Sequence, residues 1–135
     1  MNAGDKRGHL KYTVGLPRSG KSTWADKWAA EKPNRVVVAA DDFRLALHGT
    51  PWLAAAEPLI HATVKLAVRA LLIRGFDVVV DETNLTPGQK ASWSEIDPEA
   101  EFVLFDATPE VCKQRAIDTG QDYLVPVIDR MSKLL

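Results

Sequence analysis

The stretch GLPRSGKST, residues 15–23, decides the fold that we expect for this chain. It matches the pattern G-x-x-x-x-G-K-[ST] at every fixed position. The apolar run Leu10 to Val14 precedes it, and a helical pattern follows from Ser22 to Glu31. A strand that runs into a glycine-rich loop and then into a helix predicts a phosphate-binding loop. We therefore expect this stretch to bind a nucleoside triphosphate.

The residue types in this loop each have a physical role in phosphate binding. Gly15 and Gly20 let the backbone turn its N–H groups toward phosphate oxygens, and the following helix adds the positive end of its dipole. We expect Lys21 to reach the β- and γ-phosphates of the triphosphate and Ser22 to bind Mg²⁺. The other loop residues expected to contact the nucleotide are Pro17, Arg18, Ser19 and Thr23.

Length and composition predict one domain. The chain has 135 residues, 46% of them hydrophobic, and its 17 lysines and arginines nearly balance its 18 acidic residues. The one cysteine cannot form an internal disulfide, and neither a secretory signal nor an apolar run of membrane-spanning length is evident. We expect a single cytoplasmic domain over residues 1–135, with a disordered polar arm at residues 1–9 and no membrane partner. The oligomeric state stays open.

Apolar runs alternate with helical patterns along the rest of the chain. Further strands are expected at residues 36–40, 76–80 and 102–105. Further helices are expected at residues 57–74, 109–118 and 127–135. This alternation predicts an α/β fold with a parallel sheet of four or five strands flanked by helices. Ligands of such sheets bind beyond the carboxyl ends of the strands.

Acidic residues follow all three of these further strands, the last of them being Asp106. Phosphoryl transfer to a hydroxyl needs a carboxylate that accepts the proton and cations that stabilise the moving group. Asp41 follows the second strand and Arg44 comes three residues later, so we expect both to face the same cleft. Asp81 and Glu82 follow the third strand, and both are candidates to hold Mg²⁺. The residue types alone do not choose between them.

Four segments carry a resemblance to a known family. In the order GLPRSGKSTWA, DDFR, DETNLTP and VIDRM, they resemble the 5′-kinase domain of phage-type polynucleotide kinases and their P-loop kinase relatives. The resemblance covers nearly the whole chain and is specific in the first three segments. It implies the P-loop kinase fold with a short lid helix around residues 109–120. It also implies an ATP- and Mg²⁺-dependent phosphotransferase with an alcohol group as acceptor.

The resemblance implies roles for single residues. Asp41 matches the general base for the 5′-hydroxyl, and Arg44 matches the arginine that binds substrate phosphate beside the acceptor. Arg115 matches a lid arginine that clamps the donor phosphates, whereas Thr119 stands where the phage enzyme has a second arginine. Either Arg115 suffices, Arg18 compensates, or the enzyme is slow. The expected catalytic residues are therefore Asp41, Lys21, Arg44 and Arg115.

The acceptor implied by the resemblance is a nucleic-acid hydroxyl, at the 5′-OH end of DNA or RNA. Three alternatives stay open. A related kinase acts on the hydroxymethyl group of a modified base, such as 5-hydroxymethyluracil, in duplex phage DNA. A small-metabolite or nucleoside kinase uses the same catalytic parts, and a nucleotide-binding module has little transfer activity. The net charge of −1 favours a small acceptor or a short end, because a protein with many phosphate contacts normally has a basic surface.

Four other residues invite a functional role. Asn84 is expected close to the metal as a hydrogen-bond donor. Trp93 is able to stack on a base and Cys112 to act as a nucleophile, but an aromatic on a short helix and a single cysteine are more often packing residues. We expect the same of His61, which lies on a mostly apolar helix.

Overall fold

The computed structural model describes residues 7–135. Most of the expected polar arm, residues 1–9, lies outside the described residues. Residues 8 and 9 instead pack against the fold, where the His9 N–H donates to the carboxylate of Asp77 at 2.9 Å. The fold therefore includes residues before the first strand.

Strands and helices alternate along the described chain. The strands are β1 (Leu10–Val14), β2 (Arg35–Ala39), β3 (Asp77–Asp81) and β4 (Glu101–Leu104). The helices are α1 (Lys21–Ala30), α2 (Ala40–His48), α3 (Glu57–Ile73), α4 (Pro87–Ile96), α5 (Pro109–Asp118) and α6 (Val125–Ser132). Single 3₁₀ turns at Ala54–Ala56 and Asp122–Leu124 lead into α3 and α6.

The described strands form one parallel sheet in the order β2-β3-β1-β4. This confirms the predicted α/β fold, with four strands among residues 7–135. The register pairs Ala39 of β2 with Asp81 of β3, so these two strands end side by side. Whatever follows each strand is therefore brought to the same edge of the sheet.

β3 lies inside the sheet and is covered on both faces. Val78, Val79 and Val80 are each 0% exposed. Val78 and Val80 belong to the main core with the apolar residues of α3, whereas Val79 packs with Ala25 and Trp28 of α1. A run of valines is expected for a parallel strand that has helices above and below it.

α3 is amphipathic, as its sequence predicts. Its buried residues are Glu57, Ile60, Val64, Val68 and Leu72, which recur at intervals of three or four and therefore share one face. Gly75, expected to end this helix, follows its last residues with a positive φ of 87°, a conformation that glycine adopts without steric cost. Glu57, at the start of this buried face, is expected to have a charged partner, because carboxylates are seldom buried unless they are paired.

Several helix bounds differ from the sequence expectation by about two residues. α2 begins at Ala40 rather than at Asp42, so β2 passes directly into the helix and Asp41 lies in its first turn. α6 spans Val125–Ser132 rather than residues 127–135. α5 begins as predicted, because the Thr108 side chain accepts a hydrogen bond from the Val111 N–H and caps the helix.

The packing expectations for the aromatic and the cysteine are confirmed. Trp93 is 3% exposed and Cys112 is 0% exposed. The expectation for His61 is wrong, since this side chain is half exposed on α3. Among the described residues, no helix has both the length and the apolar content needed to cross a membrane.

Candidate functional site

The loop after β1 is shaped by two glycines. The Gly15 N–H donates to the Thr83 carbonyl at 3.0 Å, which ties the loop to the segment after β3. A Cβ atom on Gly15 would lie 2.8 Å from the Phe105 carbonyl oxygen, so this position has no room for a side chain. Gly20 has a φ of 104° and precedes α1. Arg18 also adopts a positive φ, of 67°, so the loop turns tightly on both sides of Ser19.

The side chain of Lys21, the first residue of α1, reaches back into this loop. Its Nζ donates to the Leu16 carbonyl at 2.5 Å and lies 3.5 Å from the Ser19 Oγ. Burial lowers the pKa of Lys21 to about 8, against the opposing effect of the Asp81 charge. The loop thus holds an ammonium group among neutral oxygens. An anion bound in the loop would stabilise the charged form of this lysine.

Ser22 and Asp81 meet at the mouth of the loop. The Ser22 hydroxyl donates to Asp81 Oδ2 at 2.7 Å, although the two residues lie 59 positions apart in the sequence. Burial raises the pKa of the Asp81 carboxyl. A hydroxyl and a carboxylate are oxygen ligands of the kind that Mg²⁺ prefers. The pair therefore fits a magnesium ion.

Magnesium is commonly bound by one or two protein oxygens together with water and substrate phosphates. Within residues 7–135, no group of three or more His, Cys, Asp or Glu side chains is arranged to hold a metal ion. A metal at Ser22 and Asp81 would accordingly need water and phosphate oxygens to complete its ligands. This requirement agrees with the position of the pair beside the loop.

Glu82 is placed differently from its neighbour. Whereas Asp81 reaches Ser22, Glu82 lines a groove between α3 and α4. Its N–H donates to the Thr13 hydroxyl, which in turn donates to the Glu82 carbonyl, so the backbone is fixed against β1. Burial raises the pKa of the Glu82 carboxyl to about 7. Of the two acids left open by the sequence, Asp81 is the one whose side chain contacts Ser22.

Arg44 organises the edge beside β2. Its Nε and Nη2 donate to the two carboxylate oxygens of Glu57 at 2.9 and 2.7 Å, and its Nη1 donates to Asp41 Oδ1 at 2.8 Å. The Glu57 side chain is 8% exposed, whereas the Asp41 side chain is 83% exposed. Hydrogen bonding to Arg44 holds the pKa of Glu57 below its usual range. One guanidinium thus joins a buried acid to a solvent-facing one.

Arg115 lies next to the phosphate-binding loop. Its Nη1 donates to the Arg18 carbonyl at 3.1 Å, which joins α5 to the loop across 97 positions of sequence. Thr119, at the place of the second lid arginine, donates instead to the Arg115 carbonyl at 2.8 Å. The predicted donor-side residues are thus adjacent, with Pro17 half-buried and Thr23 exposed. Roles for these residues stay predictions.

Two residues of this arrangement differ from what the sequence predicts. Glu57 was not singled out, although it shares the 57-60-64-68 spacing of the buried face of α3, and an acid on an apolar face is a detectable signal. Asn84 was expected near the metal, but its side chain is buried and paired. Its amide donates to the Thr13 carbonyl at 2.8 Å, and its Oδ1 accepts from Trp93 Nε1 at 2.8 Å. Asn84 therefore links the end of β1, just before the loop, to Trp93 of α4.

Comparison with known proteins agrees with this geometry. The family model AAA_33, described as an AAA domain, matches residues 10–122. The chain belongs to this AAA domain family. The match to the AAA_33 domain spans all four strands, the phosphate-binding loop and α5.

Two solved structures of one complex resemble this AAA_33 domain. A chain of the Pnkp1/Rnl/Hen1 RNA repair complex superposes with a TM-score of 0.75 at 25% sequence identity, covering 95% of this chain and 46% of that one. A chain of a second Pnkp1/Rnl/Hen1 structure has a TM-score of 0.74 at 32% identity, covering 82% of this chain and 40% of that one. The AAA_33 domain therefore spans less than half of those proteins.

A third structure is an APS kinase, CysC from Mycobacterium tuberculosis, solved with AMPPNP and APS. It has a TM-score of 0.67 at 21% identity, covering 82% of this chain and 69% of that one. At this identity the likeness concerns the fold alone. Together with the sheet order, it shows that the AAA_33 domain has the fold of P-loop kinases, a class of phosphotransferases.

Proposed function

We propose that this AAA_33 domain is an ATP- and Mg²⁺-dependent kinase that transfers the γ-phosphate to a nucleic-acid hydroxyl, at the 5′-OH end of DNA or RNA. The observation that carries the proposal is the meeting of two sites at one edge of the sheet. The phosphate-binding loop with Lys21 and the Ser22–Asp81 pair form one site. The Asp41–Arg44 pair, which follows the adjacent strand, forms the other.

The donor side of the proposal rests on the loop. Lys21, Ser22 and Asp81 would hold the triphosphate and its magnesium, which together supply the phosphoryl group and neutralise part of its charge. Backbone N–H groups after Gly15 would add neutral donors. Arg115 and Arg18 are close enough to each other to place positive charge beside the loop. A cytoplasmic setting, where ATP and Mg²⁺ are present, is part of the proposal.

The acceptor side rests on Asp41. Its Oδ1 is held by Arg44 at 2.8 Å, and its side chain is 83% exposed, so an incoming hydroxyl has access to an oriented carboxylate. Asp41 would accept the proton of that hydroxyl as the phosphoryl group is transferred. Arg44 keeps its orientation through the two bonds to Glu57. Its charge would then attract a phosphate next to the acceptor hydroxyl.

Two lines support nucleic acid as the acceptor class. The sequence resembles polynucleotide 5′-kinases in four segments, and the fold matches chains of an RNA repair complex at 25% and 32% identity. The net charge of −1 limits the expected contact to a short end rather than a long duplex tract. The modified-base hydroxymethyl group, in duplex DNA, shares this acceptor class and is an arm of the test below.

A small-molecule kinase is the second candidate. It is favoured by the near-neutral charge and by the fold shared with the APS kinase. A nucleotide-binding module with little transfer activity is the third, favoured by Thr119 at the place of the second lid arginine. These two candidates predict different results with the panel of acceptors described below. A small-molecule kinase would label a metabolite or nucleoside, whereas a nucleotide-binding module would bind ATP and label nothing.

The test measures transfer of labelled γ-phosphate from ATP to 5′-hydroxyl DNA and RNA strands, duplex DNA with hydroxymethylated bases, and nucleosides and sugars. We expect label on 5′ ends. Asp41→Asn should lower kcat about a hundredfold or more and leave ATP affinity unchanged. Asp42→Asn is the matched control, because Asp42 is an exposed neighbour on the same helix. Lys21→Ala should weaken ATP binding itself.

Several outcomes would contradict the proposal. If a metabolite or nucleoside is labelled and no DNA or RNA is, the protein is a small-molecule kinase, the second candidate. Equal losses of turnover and ATP affinity in Asp41→Asn, or equal effects of Asp41→Asn and Asp42→Asn, remove Asp41 as the base.

A further inference from the structure

A groove lies between α3 and α4, on the far side of Glu82 from the phosphate-binding loop. It encloses about 280 Å³. α3 contributes His61 and Lys65, and α4 contributes Gln89, Ser92 and the buried indole of Trp93. A groove of this volume is just below the usual range for ligand sites and has room for one nucleoside-sized unit, but not for the end of a duplex.

Glu82 forms the polar end of this groove. Its Oε2 is buried, and among residues 7–135 no group donates a hydrogen bond to it. The other buried polar side chain at this end, Asn84, uses both its amide and its carbonyl oxygen within the protein. A buried carboxylate oxygen without a donor is unfavourable unless a ligand supplies the donor. The Glu82 residue as a whole is half-buried and lines the groove, so the oxygen other than Oε2 is the one that a ligand in the groove reaches.

The groove adjoins the candidate transfer site. His61, on its wall, has its Nε2 3.7 Å from Glu57 Oε1, and Glu57 binds Arg44 through both oxygens. Glu82 follows Asp81 directly in the chain. A ligand in the groove would therefore have its near end beside the Asp41–Arg44 pair.

The chemistry of the walls restricts the ligand. Val64 and Trp93 supply apolar surface, Gln89 and Ser92 are polar, and Lys65 supplies a cation. These groups fit a ring with hydrogen-bond donors that is attached to an anionic group. A nucleoside with the phosphate of the next residue has this combination of features, because it joins a flat apolar face, N–H or O–H donors and a negative charge.

We propose that the α3–α4 groove binds the terminal nucleoside of a single-stranded acceptor, with Glu82 accepting a hydrogen bond from that nucleoside. This inference rests on the proposed function, whose acceptor it specifies. Lys65 pairs with the phosphate that follows the nucleoside. Because the groove holds one unit, single strands bind in preference to blunt duplexes.

The test compares the wild-type protein with Glu82→Gln in steady-state phosphorylation of a 5′-hydroxyl single strand. Direct binding of the same strand, carrying a 3′ fluorophore, is measured by fluorescence anisotropy. Glu82→Gln keeps an oxygen that accepts a hydrogen bond but removes the negative charge, and this weaker bond should raise both the KM and the Kd for the strand about tenfold. The KM for ATP and the Mg²⁺ requirement should not change. Glu95→Gln is the matched control, since Glu95 is exposed on α4.

A second variant keeps the test decisive if Glu82→Gln folds poorly. Ser92→Phe would fill the groove from α4 and should weaken the strand without affecting ATP binding. If the wild type phosphorylates the strand and both variants have wild-type KM and Kd values for it, the groove assignment is wrong and the proposed function stands. A Glu82→Gln defect seen only as a changed Mg²⁺ requirement also overturns it and places Glu82 at the metal. If the wild type neither labels nor binds the strand, the proposed acceptor class fails and the groove assignment with it.

Discussion

Lys21 should make the stability of this protein depend on pH in an unusual direction. Burial in the phosphate-binding loop lowers the pKa of Lys21 from 10.5 to about 8. Between these two values the unfolded chain holds a proton that the folded chain has released. The free energy of unfolding must therefore rise as pH increases through this window. Below pH 8 the folded protein holds the buried ammonium, and this contribution is absent.

The size of the effect follows from the shift. A difference of about 2.5 pH units between 10.5 and about 8 corresponds to about 3.4 kcal/mol at full development. Between pH 7 and pH 10 the linkage relation gives a rise of about 2.5 kcal/mol from this lysine. A value of this size is a large fraction of the stability of a small domain.

Urea denaturation of the wild type and of Lys21→Met at pH 7, 8, 9 and 10 measures the effect. Other groups titrate in this range, but they are common to both proteins, so the difference between the two unfolding free energies isolates Lys21. We expect wild type minus Lys21→Met to increase by about 2.5 kcal/mol from pH 7 to pH 10. Saturating ADP should reduce this increase, because a bound phosphate stabilises the ammonium.

A wild-type minus variant difference that stays constant across the pH range would contradict this prediction. It would mean that Lys21 is hydrated in solution and that the loop does not enclose it. A difference that falls with pH would mean that an anion already pairs with Lys21, and the Asp81 carboxylate is the nearest candidate.

Two further predictions concern the acceptor edge and the loop. Glu57→Gln should lower the free energy of unfolding by about 2–4 kcal/mol in urea denaturation and should lower turnover, because it leaves the Arg44 guanidinium without its charged buried partner. The exposed control Glu99→Gln should change neither quantity. Equal effects of the two variants would contradict a stabilising role for the Arg44–Glu57 pair. Gly15→Ala should weaken ATP binding about tenfold or more by calorimetry, since its Cβ meets the backbone at 2.8 Å. Gly88→Ala, whose added Cβ meets nothing within 4 Å, should keep wild-type affinity, and matching losses would disprove the steric argument.

Much of the fold could be read from local patterns. The valine-rich strand before Asp81 and the heptad-like spacing of α3 are strong signals, because burial on two faces or on one stripe leaves a direct imprint on the sequence. The first residue of a helix leaves a weaker pattern in the sequence. α2 begins at Ala40, immediately after β2, because a strand can pass into a helix without a turn residue that would mark the change.

The site could be predicted only in part. The phosphate-binding loop is one contiguous segment, so the sequence motif alone predicts which residues form it. The partner of Arg44 was not, since Glu57 lies 13 positions away and is brought close by the packing of α2 on α3. The different directions of Asp81 and Glu82 could not be read either. Neighbouring residues at a strand end point to opposite sides, and only the position of α1 and α3 decides what each side contains.

Local patterns in the sequence are enough to predict the phosphate-binding loop, the parallel α/β class and the acids that follow the strands. These features depend on neighbours within a few residues, where spacing and residue type are sufficient. Three other features come from packing between distant segments: Asp81 contacts Ser22, Glu57 binds Arg44, and Glu82 lines a groove between α3 and α4. Such contacts join residues far apart in the chain, and they exist because parallel strands bring their carboxyl ends to one edge of the sheet.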